Sequence, residues 1–233
     1  MRVIFLLGVN FVRTQWIALA VMTAYIVGIG GVFRSHVQRA DVLFFLRWHA
    51  GYAVFLVTMM ATPALQVERK TRRILAVLSK GIYRWQYIGG LLCGCTMVSG
   101  LFCLLVGGIA AWLCQQGGIS IHGLLAVMLG LFCSCVAAAA TGLFFATFLH
   151  PFLSTAATSV VLSLPFALEA LGWRPLWELF PVAAIFHFLF SFQLQQPGRA
   201  VWTIATAALC QTAVFWIAAA MVFARRDVTI SPE

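Results

Sequence analysis

Apolar runs of about twenty residues, separated by short polar or glycine- and proline-marked breaks, recur along the whole chain. A helix needs a run of that length to cross the roughly 30 Å hydrocarbon core of a bilayer. Six spans are predicted. The first covers about Trp16 to Phe33 and the second about Trp48 to Leu65, with the polar stretch RSHVQRADVLFFLRWH between them. The third runs from about Tyr87 to Trp112 and stops at QQGG, whose paired glycines mark a turn. The fourth covers about Ile121 to Phe148. His150-Pro151 ends it, because proline lacks the N–H that a continuing helix requires. The fifth runs from about Leu153 to Leu171 with a kink predicted at Pro165, and the sixth from about Ala200 to Phe223, closed by Arg225, Arg226 and Asp227.

Two apolar stretches do not fit that length. Between the fifth and sixth spans, the segment 175–197 has an apolar core from Val182 to Phe192, bracketed by Pro181 and Pro197. It is too short to cross and reads as re-entrant or interfacial, with Trp173 and Trp177 suited to the headgroup boundary. The opening run Val3–Val9 is shorter still. Asn10 and Arg13 follow it where a signal peptide would carry a small-residue cleavage site, so no removable leader is expected. The reading is one all-α transmembrane domain over residues 1–233, with both termini on one side.

Composition agrees. With 63% hydrophobic and 9% charged residues, the chain lacks the polar surface a soluble domain of this size would need. A net charge of +9 would point to nucleic acid in a soluble protein. Here the positive-inside rule accounts for it, and no nucleic-acid partner is expected. With the N-terminus inside, the inner ends hold Arg2, Arg13, six basic residues between spans two and three, Arg225 and Arg226. They outnumber Arg34, Arg39, Arg47, Arg174 and Arg199 outside by two to one. That predicts a multi-pass protein of the inner, cytoplasmic membrane, N-in and C-in.

The segment ERKTRRILAVLSKGIYRWQYIGG, Glu68 to Gly90, concentrates that charge: six of the 15 Lys and Arg fall in it. On a helical wheel, Ile74, Leu75, Leu78, Ile82 and Trp85 gather on one side. Arg73, Lys80 and Arg84 line another at i, i+7 and i+11. Residues 68–84 therefore read as an amphipathic helix on the inner membrane surface. A topogenic anchor is the plainer reading, but charge alone would suffice for that.

The segment also resembles the loop between the second and third spans of ABC-2 type transporter permeases, E-R-E-x-G-T-L-E-x-L-L-x-x-P-[IV]-S-R-x-x-[IL]-L-x-G-K. Glu68-Arg69 match its start, Ile74 and Leu78 its apolar positions, Ile82 and Arg84 its second half, and Gly90 its end. Arg72-Arg73 stand where Gly-Thr is usual, Leu75 where an acid is common, Gly81 for Pro and Leu91 for Lys. Six spans, a short interrupted segment before the last, and the ending FARRDV are similar in layout. The resemblance implies that the segment is a coupling helix, with Glu68, Arg69, Arg73, Ile74, Leu78, Ile82 and Arg84 engaging an ATPase subunit. It further implies a second permease copy or sister permease, and export rather than an enzymatic reaction. The sequence holds no GxxxxGK[ST] phosphate loop, so ATP hydrolysis would belong to a separate chain.

Other candidates are few. Ionisable residues at membrane depth mark pathways, and His49, Glu169 and His187 are the ones present, Glu169 and His187 being the candidates for a substrate path. The five His show no HxxxH or HExxH spacing and the seven Cys no CxxC, so neither a metal nor another cofactor is expected. The cysteines and the small-residue run Ala137–Gly142 read as packing surfaces. An embedded enzyme or assembly factor is the alternative, but no polar residues cluster at one depth. An ion-coupled carrier would want paired carboxylates in repeated halves, which are lacking.

Overall fold

The computed structural model describes residues 2–32, 38–70, 81–116, 122–172, 180–190 and 198–225. Among these, every regular element is helical: α1 Arg2–Thr14, α2 Trp16–Val32, α3 Arg39–Lys70, α4 Arg84–Gln116, α5 His122–Ala146, α6 Pro151–Ala170, α7 Pro181–Phe190 and α8 Gly198–Arg225. Five of them (α3, α4, α5, α6 and α8) are long and apolar enough to cross a membrane. The α1–α2 pair, bent by 66°, brings the number to six if it counts as one broken span. This is a multi-pass helical membrane protein.

The long helices alternate in direction, which gives the bundle two ends. α3 leaves one end at Lys70 and α4 starts there at Arg84. The α5–α6 turn returns to it, since the Gln66 amide donates to the Leu149 carbonyl at 3.2 Å. α8 finishes there too, because Arg84 reaches the backbone of Phe223 and Ala224. α1 and α2 run parallel to α4, with Leu7 against Gly90, Phe11 against Gly94 and Ile109 against Gly30. Arg2, Lys70, Arg84 and Arg225 therefore share one end, called here the near end.

α1 is an element the sequence reading did not predict. Its bulky residues seat in a notch that only glycine permits: a Cβ on Gly90 would come within 2.6 Å of Leu7 Cβ, and one on Gly94 within 2.6 Å of Phe11 Cδ1. In lipid, where burying apolar surface gains little, such close backbone approach is what holds helices together. Phe11 is buried, whereas Arg2, Phe5, Leu6 and Arg13 face outward.

α3 is longer than its predicted span at both ends, at 32 residues or about 48 Å. The stretch expected to be an external loop is helical from Arg39. The Asp41 carboxylate accepts from the Gln38 backbone N–H at 2.9 Å, and Val42, Leu43, Phe45 and Leu46 are buried. α4 likewise extends to Arg84 and Gln116. The other boundaries fall close to expectation. His150 is extended (φ −64°, ψ 152°) and Pro151 opens α6, where its missing N–H costs nothing. α6 runs on through a buried Pro165 to Ala170 and is followed by Gly172, whose φ of +86° lies in the left-handed region that favours glycine.

α7 is a short helix inside the segment expected to be re-entrant or interfacial. Ten residues span about 15 Å, half the hydrocarbon core. Ser134, midway along α5, donates to the Pro181 carbonyl at 3.0 Å, so α7 starts beside the middle of that helix. From there it climbs to the far end, where Arg47 Nε donates to the Leu189 carbonyl at 3.1 Å. Val182, Ala183, Ala184, Ile185, Phe188 and Leu189 are buried. The flanking 173–179 and 191–197 lie outside the described residues.

The core between α3, α5 and α6 is built from small and hydroxylated residues. Ala137 to Leu143 are all buried, and a Cβ on Gly142 would stand 3.2 Å from Thr62 Cγ2 and 3.4 Å from Ala61 Cβ. Thr62 and Thr155 share a hydrogen bond at 2.8 Å across the α3–α6 contact. The run Ala137–Gly142 is a packing surface, and so are Cys95, Cys103, Cys114 and Cys135, all buried thiols.

Candidate functional site

The near end gathers the two roots of the segment predicted to couple to a partner. Glu68 and Arg69 end α3, and Arg84 and Tyr87 begin α4. The Tyr87 hydroxyl donates to Glu68 Oε2 at 3.2 Å, joining the roots directly. Both roots meet the last turn of α8. Arg84 Nη1 donates to the carbonyls of Phe223 at 3.1 Å and Ala224 at 3.0 Å. The Phe223 ring stacks on Tyr87 with centroids 6.3 Å apart and planes 23° from parallel. The guanidinium carbons of Arg69 and Arg84 each stand 6.0 Å from the centre of that ring.

The chemistry follows from helix ends. The last four carbonyls of a helix have no partner within it and carry the negative end of its dipole. A guanidinium donating to two of them makes charge-assisted bonds, which are stronger than neutral ones. Phe223, fully buried, supplies an aromatic face for the cations beside it. The arrangement is a junction: three helix ends joined through charge, ring stacking and backbone. Among the described residues no three His, Cys, Asp or Glu side chains gather as metal ligands.

Of the predicted coupling residues, Glu68, Arg69 and Arg84 belong to this junction. Ile82 is half-buried just before α4, after Gly81, whose φ of +74° sets the turn into it. Arg73, Ile74 and Leu78 lie in 71–80, outside the described residues, as does the amphipathic helix read there. Tyr87 and Phe223 are junction residues that sequence reasoning did not pick. Tyr87 falls at the start of the predicted third span, and only an aromatic pair at two span ends signals the two residues.

The two pathway candidates are elsewhere. Glu169 is exposed near the far end of α6 and His187 half-buried on α7, and neither belongs to the junction. His49 is fully buried on α3, its ring 4.0 Å from that of Phe45, with Nδ1–H donating to the Phe45 carbonyl at 2.8 Å. Its Nε2 meets no partner among the described residues. An open groove of about 610 Å³ separates α6 from α8, lined by Val161, Phe180, Thr206, Cys210, Gln211 and Phe215. It contains neither Glu169 nor His187.

Compared with known proteins, the chain matches no family model and no curated protein.

Proposed function

We propose that this chain is the membrane-spanning subunit of an ATP-driven exporter of the ABC-2 permease type, with ATP hydrolysed on a separate chain. The observation that carries the reading is the junction at the near end. A basic, amphipathic segment hangs from two long helices whose ends are fastened to each other and to the last span. A loop that served only to fix topology needs no such fastening.

In this reading the near end faces the cytoplasm, where the basic residues concentrate. On the helical wheel Ile74, Leu78 and Ile82 share the apolar side, which this reading assigns to a groove of the ATPase as an amphipathic helix docks, with Arg73 on the basic side. Glu68, Arg69 and Arg84 hold its roots. Closure of the ATPase on ATP pushes the segment, and the two long helices carry the movement across the membrane. A second copy, or a sister permease, completes the path, which opens alternately to each side. The half-depth helix α7, before the last span, is consistent with that layout.

Leu78→Asp tests the reading. Burying an unpartnered carboxylate in the docking groove is expected to cost several kcal/mol. The ATPase should then be lost from the purified complex while the chain still inserts normally. Full recovery of the ATPase with Leu78→Asp would reduce the segment to a topogenic anchor.

A further inference from the structure

We infer that the last turn of α8 moves as one body with both roots of segment 68–84, making α8 the span through which the segment acts on the α6–α8 groove. The inference extends the coupling role proposed above.

Phe223 is the hub. Its ring stacks on Tyr87 and lies beside the guanidinium groups of Arg69 and Arg84, and its carbonyl accepts from Arg84. Both roots therefore hold the same residue, one through the ring and the other through ring and backbone. Tyr87 closes the loop by bonding Glu68. A displacement of either root must break charge-assisted bonds or take the α8 terminus with it. The neighbouring α5–α6 turn is tied to α3 by a neutral bond, Gln66 to Leu149, which yields more easily.

Above the junction, α8 is joined to α5 rather than to α6. Gln211 Nε2 donates to Thr141 Oγ1 at 3.1 Å, and the Phe215 and Phe144 rings lie 5.4 Å apart. Gln211 and Phe215 also border the groove, together with Cys210 and Val214 of α8 and Val161 of α6. A push on the segment thus moves α8 and α5 together against α6, and the width of the groove is what changes.

The test uses the full chain in nanodiscs and hydrogen exchange read by peptide. Arg84→Gln should raise exchange roughly tenfold at 219–225 and also at 66–70, as the lost charge-assisted bonds release one cooperative unit. Peptides at the far end, 123–130, should not change, and Arg84→Lys should recover part of the protection. Phe223→Leu, which keeps bulk but loses the ring, should produce the same paired loosening. A change confined to 82–88, or one spread evenly over the bundle, overturns the inference. A second arm uses the complex with its ATPase and a non-hydrolysable ATP analogue. The analogue should alter exchange at 219–225 in the wild type but not in Phe223→Leu, with the ATPase still bound. An α8 terminus that ignores nucleotide in the wild type also overturns it. If the wild type recovers no ATPase, the exporter reading falls, and the first arm alone decides whether the junction moves as a unit.

Discussion

Arg84 and Phe223, 139 residues apart, meet with the guanidinium 3.1 Å from the carbonyl oxygen of the buried aromatic residue. Arg47 repeats the relationship at the far end, donating to the Leu189 carbonyl at the close of α7. In each case a charge at a span boundary satisfies the backbone of a helix that ends beside it. Helix ends near a membrane have little water to solvate their free carbonyls, so a neighbouring arginine is an effective partner. These arginines therefore fasten the fold.

The glycine notch under α1 makes a sharp stability prediction. Gly94→Ala puts a methyl group 2.6 Å from Phe11 Cδ1 and 2.8 Å from its Cβ, so the α1 backbone itself must shift. Overpacking of this kind costs about 1–3 kcal/mol. Gly108→Ala, on the same helix, meets nothing within 4 Å and should be neutral or slightly stabilising. Thermal unfolding of the two purified variants checks this. Equal melting temperatures would show that α1 is not held in the notch.

Sidedness gives a second prediction. α4 begins at the near end and finishes at the far end, so Ser79 and Ser120, beyond its two termini, belong on opposite faces of the membrane. In a chain with its seven native cysteines replaced, Ser120→Cys should react with an impermeant maleimide in sealed cells. Ser79→Cys should react only after permeabilisation. The reverse pattern would place the junction outside the cell, where no ATPase operates.

Most of the span layout was legible because span length is imposed by the bilayer and breakers such as QQGG and His150-Pro151 stop helices for local reasons. The short α7 was legible for the same reason. α1 is missed by a reading that tests Val3–Val9 only as a removable leader. The usable signal was Ile4, Leu7 and Phe11 at helical spacing, with Arg2, Asn10 and Arg13 interspersed. The early start of α3 was hidden because Asp41 and Arg47 look like loop residues. The capping bond of Asp41 is local, but the partner of Arg47 lies 142 residues away. The junction was half legible: its charges stood out, whereas Tyr87 and Phe223 looked like any aromatic at a span end.

The exporter reading is tested most directly by the composition of the complex purified, with this chain tagged, from its own membrane. Native mass spectrometry should find two six-span permease chains, either two copies or one copy with a sister permease, together with ATPase subunits carrying a phosphate-loop sequence. A stable particle containing one copy of this chain, with no second permease and no ATPase, would contradict it.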